Sequence, residues 1–316
     1  MLFLQEYLYQ EFVPLLKDNK GSKYVSECVF EIKSGSDNIS ELNADHSLVI
    51  QREYFLPGEE WLYYKLYTKK IYQNVILTEC LAPKLRKLKE DGLVKNYFFV
   101  RYIDEEKHSI RLRIQLQNNV SDILNLINQL LRNLVDERIV SKIAIDTYDR
   151  EIYRYGGSST YGLVEELFCE DTYKVIQCLS EKTSYSEMEK AILSVIEFMR
   201  DLGLTIEEQV ELMGCYSAYK KNEKEFRKIK TDLFEEIMKM QFSSVVNTKR
   251  GKTAEKLNKN IFFDSKMMKD EMYKDFLHMH LNRLVGVDRK MEEKVYINTY
   301  YLLKSIKGYI KHNRDI

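Results

Sequence analysis

The stretch SIRLRIQLQ, residues 109–117, alternates apolar and polar side chains without interruption. Successive side chains of a β-strand point to opposite faces of its sheet, so a period of two predicts a strand with one buried face. That face would carry Ile110 and Leu112. Arg111 and Arg113 would then project side by side from the other face, which places two permanent positive charges together on a sheet.

The rest of the first half is predicted to mix strands with helices. Residues 97–102 (YFFVRY) and 61–67 (WLYYKLY) are rich in aromatic residues, which favour strands, and the first of these is expected to pair with residues 109–117. Residues 69–91 carry apolar side chains at helical spacing, and Pro83 within them is expected to kink or split the helix. Further predicted elements are an N-terminal helix, a helix starting near residue 121, and strands at residues 24–32, 47–55 and 140–148.

The second half is predicted to be mainly helical, and one basic, polar stretch in it, residues 247–260, is interpreted as a linker. The predicted fold class is therefore α+β, with a sheet-bearing N-terminal half and helices packed on it. We interpret residues 1–316 as one domain in three sections: residues 1–56 with a helix and strands, 57–157 as a sheet-rich core, and 158–316 as mainly helical. The helices are expected at residues 161–179, 185–202, 206–240, 270–285 and 289–311, the last capped by Asp288.

Composition and motifs exclude several classes of function. Lys plus Arg and Asp plus Glu number 49 each, so no global positive charge favours nucleic-acid binding. The five cysteines include no CxxC pair, which favours free thiols in a reducing cytoplasm, and the five histidines show no metal spacing. No nucleotide-binding glycine motif or nucleophile elbow occurs. The apolar N-terminus is interrupted by polar and charged residues, so neither a signal peptide nor a membrane span is expected.

Two strand regions carry charges that could bind an anion. Arg111 and Arg113 need acidic partners, which could be neighbours on adjacent strands or a carboxylate ligand. The segment DREIYRYGG, residues 149–157, ends in two glycines that permit a positive φ and close backbone approach. Glu151 and Arg154 within it could form a surface ion pair, or Glu151 could hold Arg154 toward a ligand. The residues alone leave both alternatives open.

The helix predicted over residues 270–285 contains two histidines in the segment FLHMHLNRL. His278 and His280 are two positions apart, so they point in different directions on a helix and do not predict a shared metal. One could face a site while the other packs or is solvated. A histidine titrates near neutrality and is a frequent general acid or base, although most helical histidines only pack.

Taken in chain order, four segments resemble the C-terminal elimination domain of the lantibiotic dehydratases, a domain type also described as a thiopeptide-type bacteriocin biosynthesis domain. Together they span most of residues 57–312. One departure follows the double glycine, where Ser158 and Ser159 replace the Pro-Glu of many relatives. The matching segments are residues 57–67 (PGEEWLYYKLY), 81–114 (beginning LAPKLRK and ending RLRI), 148–172 (YDREIYRYGGSSTYGLVEELFCEDT) and 276–293 (FLHMHLNRLVGVDRKMEE).

This resemblance implies a lyase. In such dehydratases an N-terminal domain attaches glutamate from glutamyl-tRNA to Ser or Thr of a ribosomal precursor peptide, and the C-terminal domain eliminates it to leave dehydroalanine or dehydrobutyrine. A chain of 316 residues has no room for the glutamylation domain. We therefore expect a split system with a separate tRNA-dependent glutamylation protein, the precursor peptide as partner, no cofactor, no direct contact with nucleic acid and a cytoplasmic location. A homodimer is left open.

The resemblance also implies the site residues. Its RLR segment corresponds to Arg111 and Arg113, its ExxRYGG segment to Glu151 and Arg154, and the first histidine of its HxHxNR segment to His278. The expected catalytic residues are Arg111, Arg154 and His278, with Arg113 and Glu151 binding substrate. The arginines would stabilise an enolate and hold the carboxyl groups of the attached glutamate, and His278 would transfer the proton.

Two alternatives remain at this stage. A thiopeptide pyridine synthase of the same fold would join two dehydroalanines in a formal cycloaddition, and it has no need of the complete set of Arg, Glu and His residues. A non-catalytic subunit could instead dock the precursor peptide on an exposed strand edge within residues 24–55.

Overall fold

The computed structural model describes residues 16–17, 23–24, 52–105, 107–117, 120–242, 248–261 and 266–314. The chain divides into two compact units, Met1–Leu48 and Val49–Ile316. In the first, strands β1 (Leu16–Lys17) and β2 (Lys23–Tyr24) pair antiparallel. The predicted N-terminal helix, nearly all of the strand predicted over residues 24–32 and the start of the one predicted over residues 47–55 lie outside the described residues.

The second unit contains a four-stranded antiparallel sheet with the strand order β5-β6-β4-β7. Its strands are β4 (Trp61–Thr68), β5 (Val94–Asp104), β6 (Lys107–Leu116) and β7 (Val140–Asp146). A two-residue ladder joins β3 (Tyr54–Phe55) to β8 (Tyr148–Asp149). The alternation predicted for β6 is confirmed, because Ile110, Leu112 and Ile114 are buried on one face.

The helix predicted over residues 69–91 is split into three parts: α1 (Lys70–Val75), a π-helical turn (Ile76–Leu81) and α2 (Ala82–Glu90). Pro83 lies in the first turn of α2, and it has no N–H to donate to the preceding turn. The prediction that Pro83 interrupts this helix is confirmed. Gly92 follows the end of α2 with a φ of +71°, the left-handed conformation that glycine adopts without strain.

The second half is mainly helical, so the α+β class is confirmed. The helices are α3 (Val120–Asp136), α4 (Tyr161–Ser180), α5 (Glu187–Asp201), α6 (Ile206–Leu212), α7 (Glu223–Phe242), α8 (Lys249–Asn260), α9 (Lys266–Val285) and α10 (Arg289–Arg314). Helix α4 packs on β5, α8 and α9, and α9 also packs on β5 and α5. Asp288 caps α10 as predicted, since its carboxylate accepts the Met291 N–H at 3.0 Å. Within the described ranges, no helix is long and apolar enough to cross a bilayer.

Two predictions in this half are wrong. The single helix expected over residues 206–240 is broken into α6, a 3₁₀ turn (Met213–Ala218) and α7. Asn222 starts α7 anew, because its side chain accepts the Glu225 N–H at 3.3 Å. The expected linker at residues 247–260 is largely the helix α8, in which Ala254 and Leu257 are buried. Because the segment is so polar, its narrow buried face did not indicate a helix in the sequence.

A buried ion cluster anchors α8 and α9 to α4. Asp171 on α4 accepts hydrogen bonds from Arg250 at 2.8 Å, from Arg283 at 3.0 Å and from His280 at 2.8 Å. Burial alone would raise the pKa of Asp171, but His280 and the two guanidiniums hold that pKa well below its usual range. The Arg283 Nε–H also donates to the Phe99 carbonyl on β5 at 2.9 Å, so the cluster sets how α9 lies on the sheet.

Candidate active site

A cavity of about 370 Å³ opens where β5 and β6 meet the 3₁₀ turn at Ile152–Tyr155, helix α9 and the start of α10. All five residues predicted for the site line it: Arg111, Arg113, Glu151, Arg154 and His278. They come from β6, from the 3₁₀ turn with Glu151 just before it, and from α9, so the convergence is a property of the tertiary structure. Two other cavities, of about 390 and 430 Å³, are lined by none of these five side chains.

Arg111 pairs with an acidic neighbour on an adjacent strand, which is one of the two kinds of partner that the sequence left open. Its Nη2 donates to Asp104 on the adjacent strand β5 at 2.8 Å. Its guanidinium lies 3.3 Å from the centroid of the Tyr102 ring, within the range of a cation–π contact. The Nη2 atom is therefore paired, whereas the buried Nε has no hydrogen-bond partner among the described residues, and the side chain is held at the wall of the cavity.

Arg113 lies two residues along the strand on the same face, but its environment is aromatic. Its guanidinium is 4.6, 5.2 and 5.3 Å from the ring centroids of Tyr63, Tyr148 and Phe98. Its buried Nε and Nη1 atoms have no hydrogen-bond partner, and no carboxylate pairs with it among the residues that the structure describes. An unpaired buried guanidinium costs free energy, so Arg113 is poised to accept an anion.

Arg154 is clamped by two carboxylates. Its Nε and Nη2 donate to the two oxygens of Asp275 at 2.8 and 2.5 Å, and its Nη1 donates to Glu151 at 3.1 Å. The bond to Asp275 is the main reason that the pKa of Arg154 is raised above its ordinary value. Gly156 and Gly157 follow with φ values of +86° and +97°, which confirms the expected turn. Arg154 thus stays charged and fixed in direction.

His278 presents its ring to the same cavity from α9. Its Nδ1 lies 2.7 Å from a carboxylate oxygen of Glu292 on α10, and its side chain is 43% exposed. His280, in contrast, is fully buried between Asp171 and Ser194. The division expected from their spacing is confirmed, because one histidine faces the cavity and the other packs.

Several residues in the cavity wall or next to it were missed by sequence reasoning. Asp275 precedes His278 by one helical turn, which was a usable signal, whereas Glu292 lies in the next helix. Arg101 on β5 also lines the cavity, and burial lowers its pKa to about 10. Tyr161 contributes a phenol that burial keeps neutral, because its pKa is raised to about 12.

The cavity therefore combines positive charge with one imidazole. Among the described residues Arg113 has no anionic partner, and Arg154 presents a fixed charge to the same cavity. The carboxylates that line the cavity or lie next to it are mostly engaged with cations. Such a wall can bind a carboxylate and stabilise an oxyanion, and the imidazole can move a proton next to it.

Sequence comparison identifies relatives of most of the second unit. Residues 61–304 match the family described as "Lantibiotic biosynthesis dehydratase C-term". The chain belongs to this family.

Two members show how much of the chain is shared. The subtilin biosynthesis protein SpaB of Bacillus subtilis is 31% identical over 264 residues, which cover 76% of this chain and 25% of SpaB. The nisin biosynthesis protein NisB of Lactococcus lactis subsp. lactis is 30% identical over 273 residues, which cover 81% of this chain and 26% of NisB. The chain thus spans about a quarter of the length of these curated relatives.

The fold of this lantibiotic dehydratase family member is also found in a solved structure. The tRNA-dependent lantibiotic dehydratase MibB from Microbispora sp. 107891 matches with a TM-score of 0.68 and 16% identity, over 82% of this chain and 29% of MibB. At that identity the likeness establishes the fold alone. The family assignment and the shared fold agree with each other.

Proposed function

We propose that this chain is an elimination subunit of a split dehydratase, removing glutamate from glutamylated Ser or Thr of a ribosomal precursor peptide. The observation that carries this proposal is Arg113, a largely buried guanidinium on the cavity wall with no carboxylate partner in the described part of the chain. Arg154 and His278 line the same cavity. Membership of the dehydratase family supports the choice of reaction.

Each residue has a role in the proposed reaction. His278 takes the α-proton of the glutamylated residue, and the guanidiniums of Arg154 and Arg111 stabilise the negative charge that develops on the neighbouring carbonyl oxygen. Arg113 binds a carboxyl group of the attached glutamate. Glu151 helps to hold Arg154 in direction. The Cβ–O bond then breaks, and glutamate leaves as a carboxylate.

The proposed partners follow from the substrate. We propose that a separate protein, which transfers glutamate from glutamyl-tRNA, supplies the glutamylated peptide. We propose that both act in the cytoplasm, where aminoacylated tRNA is made, and that this chain contacts the peptide rather than the tRNA.

The test uses purified chain and a glutamylated precursor peptide followed by mass spectrometry. We expect loss of glutamate with the wild type, and unprocessed peptide with His278→Ala or Arg154→Ala. Exposed residues outside the cavity supply matched controls, His312→Ala and Arg132→Ala, which should process the peptide normally. Circular dichroism should show that all four variants fold. Normal elimination by either cavity variant would contradict the assigned roles.

A polydehydrated peptide in a parallel reaction tests the pyridine synthase alternative. Consumption of that peptide, with the glutamylated peptide untouched, would replace elimination by cycloaddition. Binding of the peptide with no change in mass, even after the glutamylating partner is added, would instead indicate a docking subunit.

A further inference from the structure

Glu292 and His278 form a hydrogen-bonded pair between α10 and α9. The Glu292 carboxylate lies 2.7 Å from the His278 Nδ1, and only 17% of its side chain is exposed. An ionised carboxylate accepts hydrogen bonds and donates none. The proton of this hydrogen bond therefore belongs to Nδ1. In the neutral imidazole the lone pair is then left on Nε2.

The position of Glu292 is fixed from two directions. It lies in the first turn of α10, where its N–H donates to the Asp288 carbonyl at 2.9 Å and where a negative charge is favoured by the helix dipole. The Tyr296 hydroxyl donates to the same carboxylate oxygen at 3.1 Å. Tyr296 is buried and stacks on Tyr216 with ring centroids 4.9 Å apart, so this donor is itself held in place.

The other ring nitrogen is free for chemistry. Within the described ranges, no side chain or backbone group bonds to the Nε2 of His278. The ring lies on the cavity wall together with Arg154 and Arg113. A helical neighbour four residues on, Asn282, bridges to the Arg101 backbone with bonds of 2.8 and 2.9 Å. The helix that carries His278 is thereby fixed to β5.

We infer that Glu292 is a positioning residue that keeps the His278 proton on Nδ1 and so makes Nε2 the general base of the elimination. The inference rests on the proposed function for its substrate. In the step, the Nε2 lone pair takes the α-proton, and the C–H electron pair becomes the Cα–Cβ double bond by way of the enolate. The electrons of the Cβ–O bond leave with the glutamate carboxylate. The resulting imidazolium, stabilised by Glu292, returns its extra proton to solvent.

The first test needs no substrate. Nitrogen-15 NMR of the histidine side chains, at a pH well above neutrality, reports which ring nitrogen is protonated. His278→Ala assigns the signal of this residue among the five histidines. We expect the Nδ1–H tautomer in the wild type and its loss or mixing in Glu292→Gln, because an amide can donate to Nδ1 as well as accept. A wild-type proton on Nε2 would overturn the inference, whether or not any variant folds.

The second test uses the glutamylated peptide. Because a wrong tautomer removes the base, Glu292→Gln should lower kcat on the order of 10²–10⁴-fold and leave KM within about threefold. Tyr296→Phe keeps the carboxylate and should lose less than about tenfold in kcat. A Glu292→Gln variant with the wild-type kcat, or one impaired only in KM, would overturn the inference. Inactivity of the wild type would reject the proposed function, and the NMR result would still decide whether Glu292 sets the tautomer.

Discussion

Substitution of Asp171 by Asn tests whether the buried ion cluster sets the position of the helix that carries the site. Asp171 is fully buried and is the only carboxylate that pairs with Arg283 among the described residues. Arg250 has a second partner, since its Nε donates to Asp201 at 2.6 Å. In Asp171→Asn the Arg283 guanidinium would remain buried without a counter-charge. Breaking a buried pair in this way costs about 3–5 kcal/mol.

That loss is a large share of the stability of a domain, which is about 5–15 kcal/mol. Urea unfolding measures it directly, with the fluorescence of the single Trp61 as the probe, because this side chain is buried in the folded state. A matched control is Asp146→Asn, which breaks the ion pair with Lys65 on the sheet at 2.6 Å. Because that pair is partly exposed, the control should lose no more than about 1 kcal/mol.

The pH dependence supplies a second measurement. The pKa of Asp171 is lowered in the folded state. Its contribution to the free energy of unfolding is therefore complete above the unfolded pKa of about 3.9 and is lost as the pH falls through the folded pKa. The free energy of unfolding of Asp171→Asn should therefore fall less steeply with acidification below about pH 4 than that of the wild type. An Asp171→Asn variant within about 1 kcal/mol of the wild type at neutral pH would refute the reasoning.

Three further predictions concern the cavity. Arg113→Lys should lower kcat/KM on the glutamylated peptide by about tenfold or more, because an ammonium lacks the planar fork that binds a carboxylate, and steady-state kinetics measures this. Asp275→Asn should lower kcat/KM through misdirection of Arg154, while urea unfolding shows a loss of less than about 1 kcal/mol for this partly exposed pair. Asn282→Ala removes both bonds to the Arg101 backbone and should cost about 1–3 kcal/mol in the same unfolding assay; no loss would contradict the bridging role.

Most strands and helices of the second unit could be predicted because their signals are local. The alternation in β6 specifies a strand and its buried face within nine residues. Pro83 interrupts a helix because it lacks one N–H. The helix α8 could not be predicted in this way. Its buried Arg250 is stabilised by Asp201 and Asp171, which are 49 and 79 residues away in the chain.

The site likewise combines features that could be predicted from the sequence with contacts that could not. The resemblance to a family, rather than residue spacing, predicted that Arg111, Arg154 and His278 share one site. The structure places all three on one cavity. The pairing of Arg154 with Glu151 was one of the predicted alternatives, but the partners Asp104, Asp275 and Glu292 were not identified. Arg154 bonds to Asp275, which lies 121 residues further along the chain, and a periodic sequence pattern cannot predict a pair so far apart.

The sequence by itself determined which residues of β6 alternate, that Pro83 interrupts a helix and which charged groups are available. Only the tertiary structure decided which charges are neutralised. Arg111 and Arg113 are equivalent in the sequence pattern, yet Arg111 pairs with Asp104 while Arg113 meets aromatic rings and the cavity. The physical reason is that a guanidinium carries the same charge in every context. Its surroundings, built from distant segments, determine whether an acidic side chain of the protein pairs with that charge.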